Sequence, residues 1–210
     1  MDKPNSPQLT IDREFCDLIR PLMKDEYRHL EQNLLSDGCR EPITVWKGII
    51  VDGHNRFEIC SRLGIPFEVR ERHFDNREEA IIWICANQLG RRNISDETRR
   101  YLIGKRYEAE KVIAGRRNYS GRNQYRKREE STDLPYEVID PEAQQEKFRT
   151  SQRIGEEYHL AHGTVEKYGV YSQAVDVIAK KDPTMLPRIL SGRYKISHDN
   201  VVALSRMSAQ

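Results

Sequence analysis

The order of strand, glycine and helix around Gly53 limits the folds open to this chain more than any other pattern in it. The apolar run 49–51 and Asp52 precede the glycine, and a helical pattern over 57–63 follows it. A glycine at such a turn lets backbone N–H groups approach an anion, and the start of the helix adds partial positive charge. The pattern therefore predicts a strand and a helix joined by a tight turn at which an anion could bind.

The segments on either side of this turn alternate between short strands and helices. The predicted elements are a helix over 26–35, a hairpin of strands 43–46 and 49–51, a helix over 57–63, a strand from Pro66 to Val69, and a helix over 78–89. This mixture predicts a compact α+β domain. Ser95 is the predicted N-cap of a long helix that follows. Its inward-facing residues are expected to be Tyr101, Leu102, Tyr107 and Val112.

A second polar segment lies where the helix 78–89 is predicted to end. This second segment offers four polar side chains: Asn87, Gln88, Arg91 and Arg92. In the first segment, Arg56 could donate two hydrogen bonds to a phosphate. We interpret 52–56 and 87–92 as the two halves of a phosphate or nucleotide pocket. Taken one at a time, the same residues are also typical of a turn with a solvated arginine and of a helix C-cap.

These motifs occur in an order found in a known superfamily. Pro42-Ile43-Thr44-Val45 resembles a "Pro-Ile-x-Val" strand, and the segment 52–56 resembles a "Gly-Glu-Arg-Arg" or "Asp-Gly-His-His-Arg" box. Residues 87–91 resemble a "Glu-Asn-x-x-Arg" box. In this order and spacing, residues 15–115 resemble the N-terminal domain of the ParB/sulfiredoxin-like superfamily. The resemblance implies a ParB/sulfiredoxin-like α+β fold with short strands and helices.

The resemblance to ParB implies a bound nucleotide, CTP or another nucleoside triphosphate, together with Mg²⁺. The residues that would bind it are Gly53, His54, Asn55, Arg56, Asn87, Gln88, Arg91 and Arg92. Asn87 stands where the family has a carboxylate, and an amide is a weaker ligand for a hard cation. We therefore expect nucleoside triphosphatase activity to be weak or absent, and no metal site made of protein ligands alone.

Other activities remain open for the same fold. Free-serine kinases of the superfamily carry the "Asp-Gly-His-His-Arg" box, and Glu41, Asp52 and His54 could supply a base or metal ligands for phosphoryl transfer. Nuclease activity is less favoured, because no paired carboxylates have a spacing that would hold two metals. A non-catalytic scaffold that dimerises a DNA-binding adaptor is a further alternative. Sulfiredoxin chemistry is excluded, because His54 occupies the place of its cysteine.

A basic block follows the predicted pocket. Between Arg91 and Arg128, thirteen basic residues stand against four acidic ones, whereas the whole chain of 210 residues has a net charge of +2. Such asymmetry is typical of a surface that binds nucleic acid. From Gly115 the helical pattern gives way to Gly, Asn, Ser, Arg and Pro, which predicts a flexible linker over 116–145. The linker residues expected to contact DNA phosphates are Arg116, Arg117, Arg126, Lys127 and Arg128.

The C-terminal segment 146–210 is predicted to be an all-α domain with a helix-turn-helix. Thr150-Ser151 is predicted to cap a helix, residues 158–160 to form the turn, and residues 161–168 to form the next helix. Further helices are predicted over 173–180, 183–191 and 198–206.

This segment resembles the pattern "Ile-Ala-x-x-x-Gly-Val-Ser-x-x-Thr-Val" of many repressors and of the ParB central domain. His159 and Ala161 replace its Gly and Ser. The resemblance implies that Ile154, Leu160 and Val165 hold the two helices together. The residues that would face the DNA major groove are His162, Gly163, Thr164 and Lys167.

The remaining features favour an intracellular protein. The longest apolar run, 80–86, is too short to span a bilayer, and the N-terminal segment 1–14 is polar and predicted to be disordered. The cysteines lie at no metal-ligand spacing, which predicts reduced, structural thiols. They are Cys16, Cys39, Cys60 and Cys85.

We therefore predict a ParB-like DNA-binding protein of a plasmid, phage or other mobile element, which acts in partition or transcriptional regulation. It is expected to be cytoplasmic and associated with the nucleoid or a plasmid. The expected partners are DNA, a second copy of the chain and a partition ATPase. No heptad zipper follows Ser191, so we expect dimers to form through the N-terminal domain and linker, or a dimerisation domain to be missing.

Overall fold

The computed structural model describes residues 9–91, 93–122 and 141–207, with side chains up to Gly115 and again from Gln145. Its helices are α1 (Arg13–Asp17), α2 (Lys24–Asp37), α3 (His54–Leu63), α4 (Arg77–Leu89), α5 (Asp96–Arg122), α6 (Pro141–Tyr158), α7 (His162–Lys181), α8 (Met185–Leu190) and α9 (His198–Arg206). Its strands are β1 (Ile43–Trp46), β2 (Ile49–Asp52) and β3 (Val69–Glu71). The predicted α+β class is confirmed.

The three strands form one small sheet in the order β2-β1-β3. β1 and β2 are antiparallel and form the predicted hairpin, with positive φ at Lys47 and Gly48 in its turn. Such a turn matches the right-handed twist of the two strands. β3 runs parallel to β1, and all three of its residues are exposed. It begins at Val69, the residue at which the sequence predicted the strand to end.

One apolar cluster joins the N-terminal elements to the C-terminal helices. Phe15, Trp46 and Ile84 belong to the same cluster as Tyr171 and Val201. The long helix α5 lies at the centre of this arrangement and packs against both α4 and α7. The N-terminal sheet and the C-terminal helices therefore share a core around α5.

Three sequence predictions about the helices are wrong. Thr150 and Ser151 do not cap a helix, because α6 begins at Pro141 and both hydroxyls donate to carbonyl groups of the preceding turn, at 3.0 Å each. The segment 173–180 is not a separate helix but the second half of α7. Val112 does not face inward: it is 42% exposed.

The predicted linker is described only at its ends. Helix α5 continues past Gly115 to Arg122, and α6 begins at Pro141. Residues 123–140, which include Arg126, Lys127 and Arg128, lie outside the described residues, as do Arg92 and the first eight residues. The backbone of Arg116 and Arg117 is helical, and their side chains lie outside the description.

None of the helices that the structure describes combines the length and the apolar character that a membrane crossing requires.

Candidate functional site

The predicted anion site is built by the turn between β2 and α3. Gly53 has a φ of 93°, a left-handed conformation that residues with a Cβ rarely adopt. A Cβ there would also lie 3.0 Å from Cδ1 of Ile43 and 3.1 Å from Nη2 of Arg56. No side chain in the described part of the chain caps α3, so the N–H groups of its first turn are available to an anion.

Two arginines of the predicted pocket converge on one carboxylate at this turn. Asp52 accepts hydrogen bonds from Nη2 of Arg56 at 3.1 Å and from Nη2 of Arg91 at 3.2 Å. Arg56 also pairs with Glu41. The structure thus brings the two predicted halves, 52–56 and 87–91, together around Asp52. An anionic ligand that binds both guanidinium groups would have to compete with this carboxylate.

The pocket region also contains buried polar groups without partners. The Gln88 side chain is 1% exposed, and neither its amide oxygen nor its amide nitrogen has a hydrogen-bond partner among the described residues. Both ring nitrogens of the buried His54 lack partners in the same way. Burial holds the pKa of His54 below its usual value, which favours the neutral ring. Unpaired buried polar groups are costly, so both side chains are candidates for contact with a ligand.

The remaining residues of the predicted pocket differ in accessibility. Asn87 is exposed, and Asn55 is half-buried. His54 and Asn55 line a cleft of about 460 Å³ between α1, the start of α3 and α8. His54 therefore faces α1 and α8, a neighbourhood that the motif in the sequence did not indicate.

The three catalytic candidates have different surroundings. Glu41 and Asp52 each pair with arginine, and the ring nitrogens of His54 have no hydrogen-bond partner among the described residues. Across the residues with described side chains, no group of three or more His, Cys, Asp or Glu side chains could hold a metal ion.

The second candidate site is the corner between α6 and α7. His159 takes a positive φ of 57°, and the Leu160 N–H donates to the Gly155 carbonyl at 2.8 Å, which closes the end of α6. Ile154 and Val165 are fully buried in one small cluster, with Leu160 packed against it. Ile154, Leu160 and Val165 therefore pack together at this corner.

Gly155 is a residue that the sequence analysis missed. A Cβ at this position would lie 2.5 Å from the carbonyl oxygen of Leu160, a distance that real side chains do not tolerate. The signal was present, since Gly155 follows Ile154 where the helix-turn-helix pattern has a small alanine. The corner therefore depends on a residue without a Cβ at this position.

The first turn of α7 is accessible. Lys167 is exposed, and Gly163 and Thr164 are half-buried. The His162 ring packs edge-on against Phe148, with 4.9 Å between the ring centroids. No side chain caps α7. An exposed, uncapped helix start of this kind can interact with phosphate groups.

Helix α5 supports this corner through Arg106, which the sequence analysis had assigned only to the general basic block. Arg106 binds Glu110 on its own helix at 2.9 Å, and Glu157 and the Tyr158 hydroxyl of α6. Glu110 in turn pairs with Arg153 of α6. The buried Arg106 thus ties α6 to the centre of the molecule and does not belong to a DNA-facing surface.

Comparison with known proteins gives a fold but no close relative. No protein-family model matches the chain, and neither does any curated protein. The C2221 form of a pNOB8-like ParB N-domain is 18% identical, with 93% of this chain and 74% of that one aligned at a TM-score of 0.53. A second structure of the pNOB8-like ParB N-domain is 20% identical, with 93% and 70% aligned and the same TM-score. The chain thus has a ParB-like N-domain fold, as its motifs predicted.

Proposed function

We propose that this chain is a ParB-like DNA-binding protein that recognises a DNA site with the start of α7. The observation that carries the proposal is the α6–α7 corner: a closely packed turn at Gly155 and Leu160, followed by an exposed, uncapped helix start. In helix-turn-helix proteins the N-terminal residues of the second helix contact base edges in the major groove. Thr164 is the candidate for a base contact, and Lys167 for a phosphate contact.

The biological role that we propose is plasmid or mobile-element partition, with transcriptional regulation as the alternative. The ParB-like fold supports this role at the level of a protein class. A dimer, a partition ATPase as partner, and association with the nucleoid or a plasmid complete the proposal. The arginines of the segment 116–128 would add affinity for any DNA through phosphate contacts.

The role of α7 can be tested by selecting, from a library of randomised DNA duplexes, those that the protein binds. The affinity of the protein for the enriched site is then measured. We expect Thr164→Ala to reduce the preference for the enriched site over random duplex by about 1–2 kcal/mol, because a base contact is lost. Lys167→Ala should weaken binding to both duplexes and lower the slope of log K against log salt by about 0.9. Val177→Ala, further along α7 and 39% exposed, is the control and should change neither.

Two results would contradict the role of α7. One is a library that yields no enriched sequence. The other is an enriched sequence whose preference is the same in the Thr164→Ala and Val177→Ala proteins.

We further propose that the turn at Gly53 binds the phosphates of a nucleoside triphosphate, CTP being the first candidate. The groups at this turn fit a polyphosphate: an uncapped helix start and two guanidinium groups that already converge on an anion. Mg²⁺ bound with the nucleotide would neutralise phosphate charge. Arg56 and Arg91 would hold the phosphates, and Asn87 is a weak Mg²⁺ ligand, so we expect slow hydrolysis or none.

Calorimetry with the four ribonucleoside triphosphates and Mg²⁺, with and without DNA, tests this pocket. Arg56→Ala and Arg91→Ala should each weaken binding by about 2 kcal/mol, the size of a lost charged hydrogen bond. Asp52→Asn should strengthen binding, because it removes the carboxylate that competes for both arginines. Arg70→Ala, on the exposed strand β3, is the control.

The Asp52→Asn protein also distinguishes a nucleotide-binding pocket from the main alternative, a phosphotransferase. In a phosphotransferase that uses Asp52 as a base or metal ligand, this change would abolish phosphoryl transfer to free serine. Transfer by the unmodified chain and its loss on Asp52→Asn would support the kinase. Absence of binding heat with every nucleotide would rule out the pocket.

A further inference from the structure

A second, strongly cationic cleft lies on the side of the molecule where α1 leads into α2. It has a volume of about 950 Å³. One wall is formed by the α1–α2 connection and the first turn of α2, and the other by α8 and the loop after it. Five cationic side chains line the cleft, against Asp25 as the single acidic one: Arg20, Lys24, Arg28, Arg188 and Arg193.

Two of these five cations are held in ion pairs. Arg20 pairs with Glu26, and Arg28 with Asp25, each at 2.7 Å. Lys24, Arg188 and Arg193 form no ion pair within the described parts of the chain. A cleft of about 560 Å³ between α1, α5 and α7 shows the contrast: there four acidic and four basic side chains balance one another. The excess of positive charge is therefore a property of the larger cleft and is not shared by the cleft between α1, α5 and α7.

The loop that carries Arg193 and Tyr194 is anchored. The hydroxyls of Ser95 and Thr98, at the start of α5, both donate to the Leu190 carbonyl, at 2.5 and 2.8 Å. Nη2 of Arg193 reaches across the cleft to Sδ of Met23 at 3.7 Å. The Tyr194 side chain is 61% exposed at the cleft. The loop thus presents a guanidinium group and an accessible aromatic ring from a fixed base.

A cationic groove beside an exposed aromatic ring is suited to a nucleic-acid strand, because phosphates bind the cations and a base stacks on the ring. The volume is that of a small-ligand cleft, which fits a few nucleotide units and not a duplex. The cleft borders α8, which follows the far end of α7, and α7 is about 30 Å long for its 20 residues. It is therefore separate from the helix start that we propose for duplex recognition.

We propose that this cleft binds single-stranded DNA, with the phosphates on Arg188, Arg193 and Lys24 and one base on Tyr194. The site does not depend on the role proposed for α7 or on the nucleotide pocket at Gly53. Arg56 and Arg91 contribute nothing to it, and it would persist in proteins in which α7 is altered.

Fluorescence anisotropy of full-length protein with a labelled oligo(dT) strand tests this site. Arg193→Glu is expected to weaken binding about tenfold, through a lost phosphate contact and added repulsion. Arg70→Glu makes the same change of charge on the exposed strand β3 and should leave the affinity within about twofold. Tyr194→Ala should lose about fivefold or more, whereas Tyr194→Phe, which keeps the ring, should bind as the unmodified chain does.

Several results would contradict the proposal. Equal losses of oligo(dT) affinity in Arg193→Glu and Arg70→Glu would show a general effect of charge and not binding in this cleft. If the Tyr194→Ala and Tyr194→Phe proteins bind oligo(dT) equally well, no base stacks on Tyr194 and the proposal is wrong. If Arg193→Glu lowers the affinity only for random-sequence duplex, the cleft binds duplex DNA instead. If free ATP displaces oligo(dT) from the unmodified and the Arg56→Ala proteins alike, the cleft binds a free nucleotide instead.

Discussion

Replacing Gly104 with alanine is expected to lower the free energy of unfolding by about 3 kcal/mol, at the upper end of the range for overpacked cores. Gly104 lies on α5 where this helix crosses α7. A Cβ there would be 2.0 Å from the Tyr168 carbonyl oxygen and 2.9 Å from Cβ of Ser172. The nearest atoms belong to backbone, which cannot turn aside, so the two helices would have to move apart. Urea unfolding followed by circular dichroism measures the change.

Gly115→Ala is the matched control, because it makes the same change on the same helix. A Cβ at Gly115 would meet nothing within 4 Å. Alanine is the better helix former by about 1 kcal/mol, so this protein should be slightly more stable than the unmodified chain. If both substitutions change stability by the same amount and in the same direction, the close crossing of α5 and α7 does not limit the residue at position 104.

The local signals in the sequence predicted much of the fold. The hairpin, the turn at Gly53 and the start of α5 each depend on a few neighbouring residues, and the structure has all three. Ser95 caps α5 as predicted, with its Oγ 3.0 Å from the Thr98 N–H. Such features are visible in the sequence because the groups that make each hydrogen bond lie within a few positions of one another.

The errors arose where a local signal had more than one physical outcome. Thr150-Ser151 has the residue types of a helix cap, but inside a helix the same hydroxyls can donate to a carbonyl of the preceding turn, and here they do. A glycine likewise ends some helices and lies inside others, and α7 continues through Gly169 and the segment 173–180. Both outcomes are decided by packing against distant helices.

The candidate site was predictable in its residues but not in its pairing. The motifs indicated that 52–56 and 87–91 lie close together, and Arg91 does contact Asp52. Nothing in the motifs indicated that the carboxylate of Asp52 would hold both arginines, because Arg91 lies 39 positions away from it in sequence. The same limit applies to Arg106, whose partner Glu157 is on another helix, and to the cationic cleft, whose walls come from opposite ends of the chain.

Replacing Arg106 with methionine is expected to lower the free energy of unfolding by about 3–5 kcal/mol, the usual result of breaking a buried ion pair. Methionine retains much of the buried stem and removes the charge. Glu110, which is 9% exposed, would lose its hydrogen bond from Arg106. Glu157 and Tyr158 of α6 would lose the hydrogen bonds that Arg106 of α5 donates to them. Urea unfolding at neutral pH measures the loss.

Two further proteins test whether the charge is responsible. Arg28→Met breaks an exposed pair with Asp25, whose side chains are 70% and 80% exposed, and should cost less than about 1 kcal/mol. In the Arg106→Met protein the buried Glu110 keeps only its pair with the exposed Arg153. Adding Glu110→Gln removes this incompletely compensated charge and should restore part of the lost stability. If the double-substituted protein is no more stable than Arg106→Met alone, the buried charge of Glu110 is not the cause.

The pH dependence supplies an independent check on the same contact. The hydrogen bonds from Arg106 hold the pKa of Glu157 below its ordinary value. A depressed carboxyl pKa contributes stability that is present above the unfolded pKa and is lost as the pH falls through the folded pKa. The difference in stability between the unmodified and Arg106→Met proteins should therefore narrow as the pH falls below about 4, the ordinary range for glutamate. A difference in stability that stays constant as the pH falls through and below that range would show that packing, and not the ion pair with Glu157, accounts for the effect of Arg106.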